Sequence, residues 1–260
     1  GYEDLDELLL GSVYMSTNAP EHMGYTYGTD GWYYPYIHLM TDEVQENIRS
    51  SGSGASWDAR ERYFGYYTWQ QQVGIDALGT SIRKESSDWN RIYKHINIAN
   101  MILASIDEQS TPKEEDELEV MRIKGEAYFL RGAYYFILVN LYGKTLHEER
   151  GRKNDLGVPI KNTEYIEDKV YGRNTVEEVY AQVLADLGEA EKCLEKTVHK
   201  SIYRADITAT YLLLSRVHLY MQNWEMAESY AKKVLSKQDG LRDLNMMEGI
   251  PFFWTPLYLR

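Results

Sequence analysis

The chain has 260 residues, a single cysteine, Cys193, and 40 acidic against 28 basic side chains, for a formal net charge of −12. A lone thiol closes no intramolecular disulfide and makes no thiolate metal site, and so acidic a balance removes the long-range attraction that nucleic acid or an anionic lipid surface requires. No apolar run approaches the ~20 residues that cross a bilayer. The opening GYEDLDELLLGSVY also lacks the basic flank and small-residue cleavage site of a signal peptide, so the chain is either cytosolic or a processed or cloned fragment.

Aromatic usage is skewed. Tyrosine occurs 23 times and tryptophan six times against five phenylalanines, which favours rings with a polar atom, suited to surfaces that are half apolar and half wet. Residues 24–36, GYTYGTDGWYYPY, show no helical spacing, and 50–57, SSGSGASW, reads as a flexible loop. From Ser87 the pattern turns helical: Trp89, Ile92, Ile96, Ala99 and Leu103 recur three or four apart on one face. Thr111, Pro112 and Glu114 combine a cap hydroxyl, a proline at the first helical position and a carboxylate able to reach back, which predicts a long helix from there to Gly143.

The second half of that helix, GEAYFLRGAYYFILVNLYGK, is apolar around most of its circumference through Ala127, Leu130, Ala133, Tyr134, Ile137, Val139 and Leu141. It must be packed on several sides, as a central helix. Arg131 in its middle must meet carbonyls or a carboxylate, because burial of an unpaired guanidinium costs several kcal/mol, on the order of the penalty for any lone buried ion.

A polar, glycine-punctuated stretch runs to Asn174. Thr175 to Glu178 then form a capping-box signature for a helix reaching Lys196, with Val179, Val183, Leu184, Leu187, Ala190 and Leu194 inside. Asp206 is placed to cap a further helix to Gln222, and after the break at Gln222 and Asn223 another runs from Trp224 to Ser236. Tyr211, Leu214, Ser215, Trp224, Ala227, Val234 and Leu235 in this last pair fall at tetratricopeptide spacings, with small Ser215 and Ala227 at the close approach. His218 stands where that pattern has a tyrosine. The expected fold is mainly all-α: a stack of helix pairs over 87–260, its last pair tetratricopeptide-like, with an N-terminal helix and a loop-rich aromatic segment over 1–86.

Several segments, in a fixed order, resemble the SusD/RagB family, the surface glycan-binding lipoproteins of Bacteroidetes. They are Thr41-Asp42-Glu43; Trp89-Asn90-Arg91-Ile92-Tyr93 leading to Asn100; Glu126 to Arg131 with Tyr134, Tyr135 and Gly143; and Gly157-Val158-Pro159-Ile160. Arg173, Thr175, Asp186, Arg204 and Ala205 follow, then the last helix pair. The resemblance covers about three quarters of the chain. It implies a core of tetratricopeptide-like units carrying an irregular half. It also implies export, a lipidated N-terminal cysteine at the outer membrane, and a place as a lid over a SusC-like TonB-dependent transporter that receives oligosaccharide.

Two departures stand out. No such cysteine opens the chain, and the chain ends at Arg260 where the family's C-terminal half would begin. This reads as the N-terminal part of a longer protein, produced by cloning or by proteolysis after an arginine.

Sugar rings present apolar C–H faces flanked by hydroxyls, so flat aromatic platforms beside hydrogen-bonding groups hold them without pKa tuning. The segment between Glu43 and Trp89 offers these parts. The ligand-contact candidates are Trp57, Tyr66, Tyr67 and Trp69, together with Asp42; for each ring, packing in a core is the competing role. Arg131, Trp89, Tyr93 and Asn100 are read as structural. No catalytic motif is found: the six histidines form no His-Glu-x-x-His pair, Gly52-Ser53-Gly54 lacks the continuation of a phosphate loop, and Glu114 to Glu117 read as an acidic helix start. No cofactor or metal is expected. The leading reading is a non-catalytic glycan-capture protein; the alternatives are a peptide-binding RagB-like member and a helical-repeat scaffold that recognises only protein.

Overall fold

The computed structural model describes residues 1–14, 40, 64–71, 78–79, 87–108, 116–146, 154–165, 167–198, 200–238 and 240. Its helices are α1 (Tyr2–Leu8), extended by a π-helical turn at Leu9–Val13; α2 (Ser87–Glu108); α3 (Glu117–Tyr142); α4 (Val176–Leu194); α5 (Ile207–Tyr220); and α6 (Trp224–Lys237). The described residues hold no strand, and one isolated bridge joins Leu156 to Thr175. Backbone contacts divide the chain into one unit of Gly1–Tyr14 with Arg91–Gly240 and another of Met15–Asn90 with Leu241–Arg260. In this partition the first fourteen residues belong with the helices.

Local chemistry sets most of the helix ends. Thr175 accepts from the Glu178 amide while the Glu178 carboxylate returns to the Thr175 amide, the reciprocal box its spacing suggests. Asp206 caps α5 by accepting from Ala209, and Asn223 caps α6 by accepting from Met226. The cap read at Thr111 lies outside the described residues; α3 is described from Glu117, with Asp116, in right-handed helical geometry, at its cap position. Gly143 ends α3 in extended rather than left-handed geometry, at φ −98°. A glycine is required there by space, since a Cβ would stand 2.6 Å from the Val139 carbonyl oxygen.

α3 is buried around its circumference, with Ile123, Ala127, Tyr134, Tyr135, Leu138 and Val139 at or near zero exposure. It runs along α4. Gly125 and Gly132 let the two backbones close: a Cβ on Gly125 would come within 2.6 Å of Leu194 Cγ, and one on Gly132 within 3.2 Å of Asp186 Cβ. α5 lies on α4 through Ala190, Leu194, Ile207 and Tyr211. The α5 and α6 pair is joined where Ser215 Oγ donates to the Ala227 carbonyl at 2.8 Å, so the small residues sit at the crossing. Of the large residues at repeat spacing, Tyr211 and Leu214 are buried, whereas Trp224 and Leu235 are exposed.

Candidate functional site

The aromatic candidates separate by placement. Trp57 and Asp42 lie outside the described residues. Tyr66 is buried at 9% exposure, Tyr67 is 42% exposed and Trp69 is 70% exposed. A single helical turn at 64–67 places them, and the way it ends is unusual. The Gln70 amide donates to the Gly65 carbonyl at 2.8 Å and the Trp69 amide to the Tyr66 carbonyl at 3.1 Å. These two bonds make the glycine-type cap in which the residue past the helix takes a left-handed conformation. Here that residue is Trp69, at φ 56°.

A side chain in that region crowds its own backbone, at a cost of about 1–2 kcal/mol relative to glycine. The turn holds nevertheless, because Thr68 Oγ1 donates to the Phe64 carbonyl at 2.6 Å and Gln70 Nε2 donates to Thr68 Oγ1 at 3.2 Å. The result is an exposed indole in the same turn as an exposed phenol, Tyr67, and the exposed amide of Gln70. That set of groups can stack on an apolar ring face and bond hydroxyls, and it contains no acid, base or nucleophile poised for bond breaking.

The residues read as structural lie in two buried polar clusters. In the first, Arg131 donates from Nε and Nη2 to the two Asp186 oxygens at 3.0 and 2.6 Å, and from Nη1 to Asn100 Oδ1 at 2.8 Å. Its face also lies 5.3 Å from the Tyr128 ring centroid. Burial works against the guanidinium charge, but the Asp186 bonds outweigh it and raise the Arg131 pKa. Asn100 passes the link onward, donating from Nδ2 to the carbonyls of Lys161 and Thr163. Tyr93 donates to the Pro159 carbonyl at 2.7 Å, and Arg173 donates to the carbonyls of Gly157, Tyr142 and Leu156. The extended segment at 155–163 therefore has its carbonyls met from several sides: by side chains of α2, by Tyr135 of α3, by Arg173, and by the backbone amides of Asn174 and Val176. Trp89 is half-buried at the start of α2.

The second cluster joins the first residues of the chain to α3 and to the α4–α5 turn. Glu126, 1% exposed, accepts from Arg122 at 2.5 Å, from Arg204 at 2.9 Å and from the Tyr14 hydroxyl at 2.6 Å. Asp6 accepts from both arginines. The Tyr134 hydroxyl donates to the Val13 carbonyl, and His95 Nδ1 bonds the Ser12 carbonyl at 2.8 Å. Burial and the Glu126 charge push the Tyr14 phenol upward, so it stays a donor. Sequence reasoning missed Asp6, Tyr14 and Arg122 and assigned no role to Asp186. The four-residue spacing of Arg122 and Glu126 on one helix was the available signal; nothing local pointed to Asp6 or Tyr14. Among the described residues, no group of three or more His, Cys, Asp or Glu could hold a metal ion, and no helix is long and apolar enough to cross a membrane.

Paired helices tied by buried ionic clusters define a helical-repeat protein. The SusD-like family model, described as starch-binding associating with outer membrane, matches residues 34–219. The chain belongs to this family. It is 26% identical over 175 residues to the starch-binding protein SusD of Bacteroides thetaiotaomicron, covering 65% of this chain and 29% of that one. A SusD-like protein of Formosa agariphila is 25% identical over 153 residues, covering 58% and 26% of the two chains. A solved SusD superfamily protein of Bacteroides thetaiotaomicron matches with TM-score 0.63 at 25% identity, over 93% of this chain and 47% of that one. The chain thus spans less than a third of the length of these two curated relatives.

Proposed function

We propose that this chain is part of a non-catalytic surface protein that captures oligosaccharide, with Trp69 as a platform for the sugar ring. The observation that carries the reading is Trp69 itself: a large ring kept 70% exposed in a backbone conformation that disfavours it, in a chain of a starch-binding family. Tyr67 and the amide of Gln70 supply flanking contacts. Trp57 and Asp42 remain proposed contacts of the same surface. Tyr66 is too buried to serve as a platform. The loop-rich part of residues 1–86 is proposed to supply the recognition surface and 87–260 the frame, within one larger domain.

The test is calorimetric titration or affinity electrophoresis against a panel headed by starch and its oligosaccharides, using the chain and its Trp69→Ala variant. Binding weakened about tenfold or more in the variant supports the reading, the size expected when one stacking contact of about 1–3 kcal/mol is removed. Peptide binding with no glycan binding moves the assignment to the peptide-binding branch. Release of reducing sugar by the purified chain revives an enzyme.

The family's outer-membrane association supports the further proposal that the whole protein is lipid-anchored at the cell surface and passes its ligand to a TonB-dependent transporter. The exposed side of α5 and α6 is the proposed docking face. Charge reversal there should loosen a co-purified transporter; an unaltered complex removes this part of the proposal.

A further inference from the structure

His218 combines three features that do not ordinarily meet. It occupies the tyrosine position of the repeat pattern, its ring is 8% exposed, and its Nδ1 is buried without a hydrogen-bond partner. The ring stacks on Tyr230 of α6, with centroids 5.7 Å apart and planes 7° from parallel. Tyr230 in turn donates to Glu191 of α4 at 3.0 Å. Lys233 of α6 donates to the same carboxylate at 2.8 Å, with its ammonium 4.5 Å from the centroid of Tyr230 and 4.7 Å from that of Tyr211. α3 reaches the end of α5 through an apolar ring, Phe136, at 5.2 Å from Tyr220.

This setting suits a neutral imidazole and penalises a charged one. The single carboxylate of the cluster is already engaged by Tyr230 and Lys233, and the tyrosine face that would accept a second cation already attracts Lys233. Burial lowers the His218 pKa accordingly. α6 is held chiefly by its packing on α5, so His218 and Tyr230 lie on the contact that keeps it docked.

We propose that His218 is an acid-sensitive latch on the last helix pair: with the imidazole neutral, α6 docks on α5, and protonation favours its release from the helix stack. A base whose pKa is lowered in the folded state takes up its proton more readily once the contact opens. Its contribution is therefore complete above about pH 6.5, the ordinary histidine value, and is lost as the pH falls below it.

Hydrogen exchange on the 260-residue chain, corrected for the intrinsic chemical rate, tests this. At about pH 5.5 the α6 amides should lose up to about tenfold of the protection they have at about pH 7.5, while those of α3 and α4 keep theirs. In His218→Phe and His218→Gln the selective loss should vanish. Protection of α6 that does not depend on pH, or the same loss in both variants, overturns the latch. If neither variant folds, an NMR titration of the His218 imidazole in the unaltered chain decides: a midpoint below about 6.5 supports the proposal and one at or above it overturns it.

Discussion

Glu126 in the helical unit and Trp69 in the aromatic turn are each placed against a local preference, in opposite directions. Glu126 is a charge held at 1% exposure, and it persists because two arginines and a tyrosine bond it. Trp69 is a large apolar ring held 70% exposed in a left-handed backbone, within a turn closed by its own hydrogen bonds. A buried charge compensated on every side is the mark of architecture. An exposed ring in a strained backbone is what motivates the proposal of a surface kept for a partner.

Replacing Glu126 by alanine removes the buried carboxylate that Arg122 and Arg204 share, leaves them the more exposed Asp6 and Glu119, and should destabilise the helical unit by about 3–5 kcal/mol in chemical denaturation. A loss under about 1 kcal/mol would mean the cluster is wetter than its burial suggests. Gly125→Ala drives a Cβ into Leu194 and should cost about 1–3 kcal/mol, because the neighbouring atoms belong to packed α4 rather than to a loose side-chain end. The same measurement on Gly188→Ala, whose Cβ would meet nothing within 4 Å, is the control and should show no loss.

Acid sharpens the contrast. Burial opposes the Asp6 charge, but Arg204 and Arg122 hold its carboxyl below the ordinary value. Its contribution is present above the unfolded value near 4 and lost as the pH falls through the lower folded one. The gap in melting temperature between the unaltered chain and Asp6→Asn should therefore be open at about pH 6 and close toward about pH 3.

The smallest effect has the opposite sign. Trp69→Gly relieves the left-handed strain and should stabilise its turn by up to about 1 kcal/mol while weakening glycan binding. A variant that loses stability instead would show that the indole is packing, and the contrast with Glu126 would collapse.

Much of the frame was legible because its signals are local. The three-to-four spacing that marks α2, the Thr175 box, the Asp206 cap and the break at Gln222 each depend on residues within a turn or two of one another. The Thr111 signal lies outside the described residues, and α3 is described from Glu117. That Arg131 needs a partner could be read from its apolar surroundings. That the partners are Asp186 and Asn100, 55 and 31 residues away in sequence, could not. The candidate surface was legible chiefly as composition: of four rings in a loop-rich stretch, Trp57 stood out beside the Gly/Ser loop but lies outside the described residues, and burial separated Tyr66 from Trp69.

By itself, then, the sequence determined the helices, their order and the need for a polar partner within the central one, because periodicity and capping act over a few residues. Tertiary structure alone decided that residues 1–14 join the helical unit and that Glu126 sits between two arginines. It also decided that Trp69, rather than Tyr66, faces water. Each of these depends on which distant groups share a low-dielectric interior or are left outside it, and a linear pattern carries no record of that choice.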